Sequence, residues 1–131
     1  MIYMLDTDTV CFFMKDNPKN IRLRVAKHDK DKFCISAITL AELLFGLKRN
    51  YSKQLDFWLH VIIDKFEVIA FDDTSASIYG EIRTSLEKSG EPLDNMDILI
   101  AATALKAGAV LVSHNIKHFK KIKDLEVEDW N

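Results

Sequence analysis

The stretch that decides the fold runs from Asp94 to Ser113: DNMDILIAATALKAGAVLVS. Asp94 to Lys106 reads as the strongest helix of the chain, Gly108 as its C-terminal cap, and Ala109 to Ser113 as a short apolar strand. A helix that stops on glycine and passes at once into a buried strand suits a parallel crossover. The same alternation recurs on both sides. Toward the N-terminus, Ile2 to Leu5, Phe33 to Ser36 and Phe66 to Phe71, with Val68 and Ile69, read as strands. Between them the pattern predicts a short helix through about Met14, a helix opened by Pro18 and running to about His28, and a helix from Ala37 to Lys48 that is apolar on nearly all sides. Tyr51 to Lys65 and Thr74 to Lys88 are further helices, the second stopped by Gly90 and Pro92. Beyond the deciding stretch, Asn115 to Ile122 is a basic helix or turn, and Leu125 to Trp130 alternates like an edge strand. The fold class is therefore α/β, a parallel or mostly parallel sheet with helices on both faces.

Composition agrees with one folded unit. The 131 residues are 48% apolar and 29% charged, with 4 Gly and 2 Pro, which excludes collagen-like and strongly charged disordered chains. A single domain over residues 1–131 is expected. Cys11 and Cys34 sit in apolar stretches without a CxxC or Cys/His array, so reduced thiols are expected rather than a disulfide framework or a zinc site. The apolar start Met1 to Leu5 lacks a basic leader and is cut off by Asp6, and no run reaches the length of a membrane span. A cytoplasmic protein is the expectation. The net charge of −2 is not the usual footprint of a phosphate binder, but its distribution is uneven. Ile98 to Lys123 holds Lys106, Lys117, Lys120, Lys121 and Lys123 and no acid, while Lys15 to Lys32 holds seven Lys/Arg against three Asp. Either run alone suits a solvated face; together they permit a polyanionic partner.

Three acids stand out of place. Asp6 directly follows the first strand, where open parallel sheets bind ligands, although an N-cap for the next helix is an equally good use of it. Glu42 is the only acid between Asp31 and Asp56, and helical spacing puts it on a face with Ile38, Ala41 and Phe45 that should be buried. Such a carboxylate needs a hydrogen-bond network, a basic partner such as Arg49, or a metal ion. Asp97 is the only acid from Asn95 through Lys123, and Asp94 with Asp97 also reads as a cap followed by a first-turn acid that offsets the helix dipole. If the fold gathers the three acids, repulsion of roughly 4 kcal/mol per pair at about 4 Å, for an effective dielectric near 20, calls for a cation. Mg²⁺ or Mn²⁺ suits an all-oxygen set and suits phosphoester hydrolysis. His114 and His118 have i,i+4 spacing but lack a third ligand of their type, so they read as surface residues.

These residues resemble the PIN-domain ribonucleases, and most closely the VapC-like toxins of toxin–antitoxin pairs. The likeness rests on Met4-Leu-Asp-Thr, Ile38-Thr-Leu-Ala-Glu-Leu with Gly46, Tyr79-Gly-Glu-Ile-Arg, Gly90-Glu-Pro, Asp97-Ile-Leu-Ile-Ala-Ala-Thr-Ala, Leu111-Val-Ser-His-Asn and Glu128-Asp-Trp, in that order. The resemblance implies a three-layer α/β/α sandwich and a divalent-cation site of Asp6, Glu42 and Asp97. It also implies endonucleolytic cleavage of RNA, usually tRNA or rRNA, leaving a 5′-phosphate. Asp6 and Asp97 would bind Mg²⁺ directly, with Mn²⁺ as an alternative ion, and Glu42 would bind through water or orient the attacking water. Thr7, Ser113, Asn115, Lys117, Lys120 and Lys121 complete the expected substrate-binding set. A small antitoxin is the implied partner, with a homodimer or a toxin–antitoxin hetero-oligomer as the assembly. Phe12, Phe13 and Trp58 belong either to such an interface or to the core. Two positions depart from the pattern: Asn115 stands where relatives frequently carry a further acid, and Asp94 where many have glycine.

Two other classes fit parts of the chain. Asp6-Thr-Asp8-Thr-Val10 after an apolar strand also resembles the opening motif of haloacid-dehalogenase phosphatases, with Phe71-Asp72-Asp73 as late metal-binding acids, but this leaves Glu42 and Asp97 unused. A PIN-fold binding module without chemistry is the third reading, motivated by Asn115.

Overall fold

The computed structural model describes residues 1–17 and 19–131. Strands β1 (Ile2–Leu5), β2 (Lys32–Ser36), β3 (Glu67–Ile69), β4 (Val110–Val112) and β5 (Val127–Glu128) form one sheet in the order β3-β2-β1-β4-β5. All four pairings are parallel, with Met4 opposite both Cys34 and Leu111. The helices are α1 (Thr7–Lys15), α2 (Asn20–Lys27), α3 (Ala37–Arg49), α4 (Lys53–Lys65), α5 (Asp73–Lys88), α6 (Asn95–Ala107) and α7 (Ile116–Phe119). No helix among the described residues is long and apolar enough to cross a membrane.

Strand periodicity sorts the apolar residues into two cores, because successive side chains leave a strand on opposite faces. Tyr3, Leu5, Ile35, Val110 and Val112 point to one side, where Phe13 of α1, Ile21 of α2, Leu43 of α3 and Ile62 of α4 cover them. Met4, Cys34 and Leu111 point to the other, against Ile82 and Leu86 of α5, Ile98 and Ala101 of α6 and Phe119 of α7. Burial on both faces explains why the strands read as continuous apolar runs. The result is the expected α/β/α sandwich.

Local chemistry sets the helix ends. Ser36, Ser52, Asp72 and Asp94 each accept a backbone N–H from the first turn of the helix that follows, and Gly108 takes φ 66° to close α6. Several expected boundaries shift. The helix read from Tyr51 starts at Lys53, since Ser52 is its cap. The strand read as Phe66 to Phe71 keeps only Glu67–Ile69, because Phe66 closes α4 and β3 pairs on one side alone. Leu125 to Trp130 contributes only Val127–Glu128 to the sheet edge, and the basic segment after Asn115 is helical only over Ile116–Phe119. The helix expected to open at Pro18 runs over Asn20–Lys27; Pro18 itself lies outside the described residues.

Phe13 belongs to the core, with Phe12 and Trp58 packed partly buried against it. Cys34 is buried, its thiol pushed up to about 12 by burial, and Cys11 is half-buried; both are free.

Candidate active site

The carboxyl ends of the three central strands share one edge of the sheet, which is where a parallel fold leaves a crevice. Ser36 ends β2, Asp6 follows β1, and Ser113 follows β4. Backbone pairing continues into these residues, with the Asp6 N–H donating to Val112 O at 3.1 Å and the Ser113 N–H to Glu128 O at 3.0 Å.

Asp6 is 5% exposed. Its Oδ1 accepts the Thr9 N–H at 2.9 Å, so it does cap α1. Burial pushes its carboxyl above the ordinary value; the Ser113 hydroxyl and the Thr9 N–H oppose that shift, and the charge of Asp8 adds to it. Asp97 stands half-buried in the first turn of α6, behind the capping Asp94, whose Oδ1 accepts the Met96 N–H at 2.8 Å. Burial, then the charges of Asp94, Asp6 and Glu42, push Asp97 up to about 6 from 3.8, with His118 pulling the other way. Residues from three separate segments thus feel one another's charge. Among the described residues no ion pair involves Asp6, Glu42, Asp94 or Asp97.

Glu42 differs from expectation in its surroundings. It is half-buried, and the face it shares with Ala41 and Phe45 is open, Phe45 being 64% exposed. The reason is packing: α3 turns Leu43 and Thr39 inward and leaves Leu44 and Phe45 exposed. Arg49 does not neutralise Glu42; its guanidinium lies over the Phe45 ring, 5.9 Å from the centroid. Glu42 Oε1 instead accepts the Thr7 hydroxyl at 2.7 Å. Thr7 and Thr39 hydroxyls are 3.2 Å apart, as are those of Thr39 and Ser36. Sequence reasoning missed Thr39 and Ser36. Their signal was the three-residue spacing Ser36, Thr39, Glu42, which lines one helix face.

The other expected residues lie around this edge. Ser113 is buried and its Oγ accepts the Asn115 N–H at 2.9 Å, which fixes the turn leading into α7. Asn115 and Thr7 are half-buried, while Lys117, Lys120 and Lys121 are exposed. His114 and His118 are on the surface, His114 pairing with Asp129 at 3.2 Å.

A divalent ion is tested by the donor chemistry. Among the described residues no three His, Cys, Asp or Glu side chains converge into a ready-made cage. The set nonetheless fits a hard dication that keeps several waters and takes only one or two carboxylates, since the donors are all oxygen, Asp6 and Glu42 push the Asp97 carboxyl up, and among the described residues none of the three forms an ion pair.

A PIN-domain model matches residues 3–125. The chain belongs to the PIN-domain family. It is similar to Ribonuclease VapC1 of Haemophilus influenzae strain R2866, with 37% identity over 133 residues, 99% of this chain and 98% of that one. The tRNA(fMet)-specific endonuclease VapC of Salmonella typhimurium is 34% identical over 98% of this chain and 97% of its own length. Among solved structures, VapBC2 from Rickettsia felis bound to a DNA fragment from its promoter aligns with TM-score 0.92 at 36% identity, over 100% of both chains. This PIN domain is thus of the VapC kind along its whole length.

Family membership overturns the phosphatase reading, and the local geometry agrees. Asp8 is an exposed first-turn residue of α1. Asp72 caps α5, and the hydrogen bonds from Ser75, with a smaller contribution from Lys106 at 3.2 Å, hold its carboxyl down to about 2.

Proposed function

We propose that this chain is the ribonuclease toxin of a toxin–antitoxin pair, hydrolysing phosphodiester bonds in RNA with a divalent ion held by Asp6 and Asp97. The observation that carries the reading is the placement of Asp6 at the carboxyl end of β1 and of Asp97 in the first turn of α6, where burial and the charges of Asp94, Asp6 and Glu42 raise the Asp97 carboxyl and, among the described residues, no ion pair compensates it. Support for the substrate class comes from relatives named ribonucleases, one of them specific for tRNA(fMet), so tRNA is the first substrate to test. Support for the partner comes from the VapBC complexes to which the chain is similar, so a small antitoxin is the expected neutralising protein.

When bound, Mg²⁺ or Mn²⁺ supplies a Lewis acid that activates water and stabilises charge on the leaving oxygen. The chain's own residues do the positioning. Asp6, whose Oδ1 caps α1, and Asp97, in the first turn of α6, offer the direct ligands. Glu42, tied through Oε1 to Thr7, keeps Oε2 to orient the attacking water. Asn115 offers an amide to a phosphate oxygen, and contributes no charge. Lys117, Lys120 and Lys121 reach the RNA backbone.

Metal-stripped protein incubated with tRNA tests the reading. Cleavage appears with Mg²⁺ or Mn²⁺, stops with EDTA, and falls about a hundredfold or more in Asp97→Asn, since metal stabilisation of several kcal/mol is at stake and each 1.36 kcal/mol is a factor of ten. Cleavage that survives EDTA or the Asp97→Asn change overturns it.

A further inference from the structure

Thr39 has an unusual use of its hydroxyl. A threonine inside a helix ordinarily turns back to a carbonyl one turn earlier, as Thr103 does in α6, donating to Leu99 O at 2.8 Å. Thr39 is fully buried, in the first turn of α3, and its hydroxyl bonds only to other hydroxyls among the described residues, Ser36 on one side and Thr7 on the other. Each hydroxyl has one hydrogen to give, which fixes the direction of the chain. Ser36 Oγ accepts the Thr39 N–H at 3.0 Å as the helix cap and gives its own hydrogen to Thr39 Oγ1 at 3.2 Å. Thr7 gives its hydrogen to Glu42 Oε1 at 2.7 Å. The hydrogen of Thr39 is then the one left to bridge the 3.2 Å to Thr7. Every donor in the row points toward the carboxylate, the arrangement in which successive hydrogen bonds polarise one another.

Glu42 needs such a device. It sits on an otherwise open face, next to the exposed Ala41 and Phe45, with no cation within ion-pair distance among the described residues. A glutamate there has several rotamers available, and about 1.5–2 kcal/mol of side-chain freedom opposes any single one. The hydroxyl row selects one of them. It ties Oε1 and leaves Oε2 free.

We propose that Thr39, which itself touches neither substrate nor ion, is a positioning residue: through Thr7 it holds Glu42 in the one orientation that presents Oε2 to the attacking water. The inference rests on the ribonuclease reading for its kinetic consequence, but its geometric half stands apart from it.

The test therefore has two readouts. Side-chain scalar couplings of Glu42, measured by NMR without added metal, report whether it occupies one rotamer. Steady-state cleavage of a short RNA in Mn²⁺ separates kcat from KM. In wild-type protein Glu42 holds one rotamer. Thr39→Val, which keeps the shape and removes the hydroxyl, averages the Glu42 rotamers and lowers kcat up to about tenfold with KM unchanged, the size expected for losing one hydrogen bond between uncharged groups. Thr39→Ser restores both. Thr7→Val, at the half-exposed end of the row, has the same effect on the rotamers and covers the case in which the buried substitution fails to fold. A single wild-type rotamer in folded Thr39→Val or Thr7→Val overturns the proposal, as does wild-type kcat in folded Thr39→Val. If wild-type protein cleaves no RNA with any ion, the ribonuclease reading fails while the rotamer measurement still decides the role of Thr39.

Discussion

At the scale of the residue, Asp97 is the most informative group because its environment works against its charge. Its carboxyl is raised from 3.8 to about 6 by burial first and by three neighbouring acids after that. Below the unfolded value both folded and unfolded chains carry the proton and nothing is lost. Above the folded value both are ionised and the folded chain bears the full penalty, so stability falls as pH rises from about 4 to about 6. Asp6 is shifted in the same direction. Asp72 and Asp31 are shifted downward and act with the opposite sign, so the comparison must be between variants at one pH rather than between pH values alone. In EDTA, Asp97→Asn should therefore melt higher than wild type at pH 7.5, by the equivalent of about 1 kcal/mol once solvent screening of a half-buried group is allowed for, and alongside it at pH 4. Thermal melts at the two pH values check this, and an equal difference at both would remove the charge strain from the account. Adding Mg²⁺ should raise the wild-type melting point and close the gap, since an ion bound only by the folded state stabilises it by mass action.

At the scale of the element, two glycines with the same empty surroundings should respond in opposite ways. A methyl group at Gly46 or at Gly108 meets nothing within 4 Å, so neither position is reserved for glycine by packing. Gly108 has φ 66° and closes α6, a conformation in which a β-carbon is strained. Gly46 lies inside α3 with ordinary helical backbone. Gly108→Ala should then cost about 1 kcal/mol and Gly46→Ala should add about 0.5–1 kcal/mol, both read from urea denaturation midpoints. The same local rules explain what was legible. Asp94 begins a helix and Gly108 ends one through interactions spanning two or three residues, and such short-range chemistry is written in the sequence. Strand ends are not local. Whether Ala70 and Phe71 join the sheet depends on a partner strand, and β3 has one only on its β2 side.

At the scale of the whole molecule, Asp6, Glu42 and Asp97 could be singled out as candidates because each adjoins or interrupts an apolar run, while the row of hydroxyls could not. Thr7 and Glu42 are 35 positions apart, and only the closing of α3 over α1 brings them together. The open face of α3 was misjudged for the complementary reason: apolar composition does not distinguish a covered helix face from an exposed one, and Phe45 lies on an exposed one.

The molecule as a whole also reconciles a net charge of −2 with an anionic substrate. Lys117, Lys120 and Lys121 are exposed on and beside α7, which begins directly after Asn115 and so runs out from the site, while Lys106 of the same basic run is engaged with Asp72. Lysines paired with phosphates position RNA without taking part in bond breaking, and removing one lessens the release of counterions on binding. Replacing Lys117, Lys120 and Lys121 together by Gln should raise KM with kcat little changed, the reverse of the Thr39→Val pattern. It should also flatten the plot of log affinity against log salt by about 0.7 for each phosphate of a single-stranded substrate that is no longer neutralised. Binding to the Asp97→Asn protein, measured by fluorescence anisotropy across a salt series, isolates this effect from cleavage. An unchanged slope would mean that the RNA approaches from another side, and the lysines would then be a solvated face only.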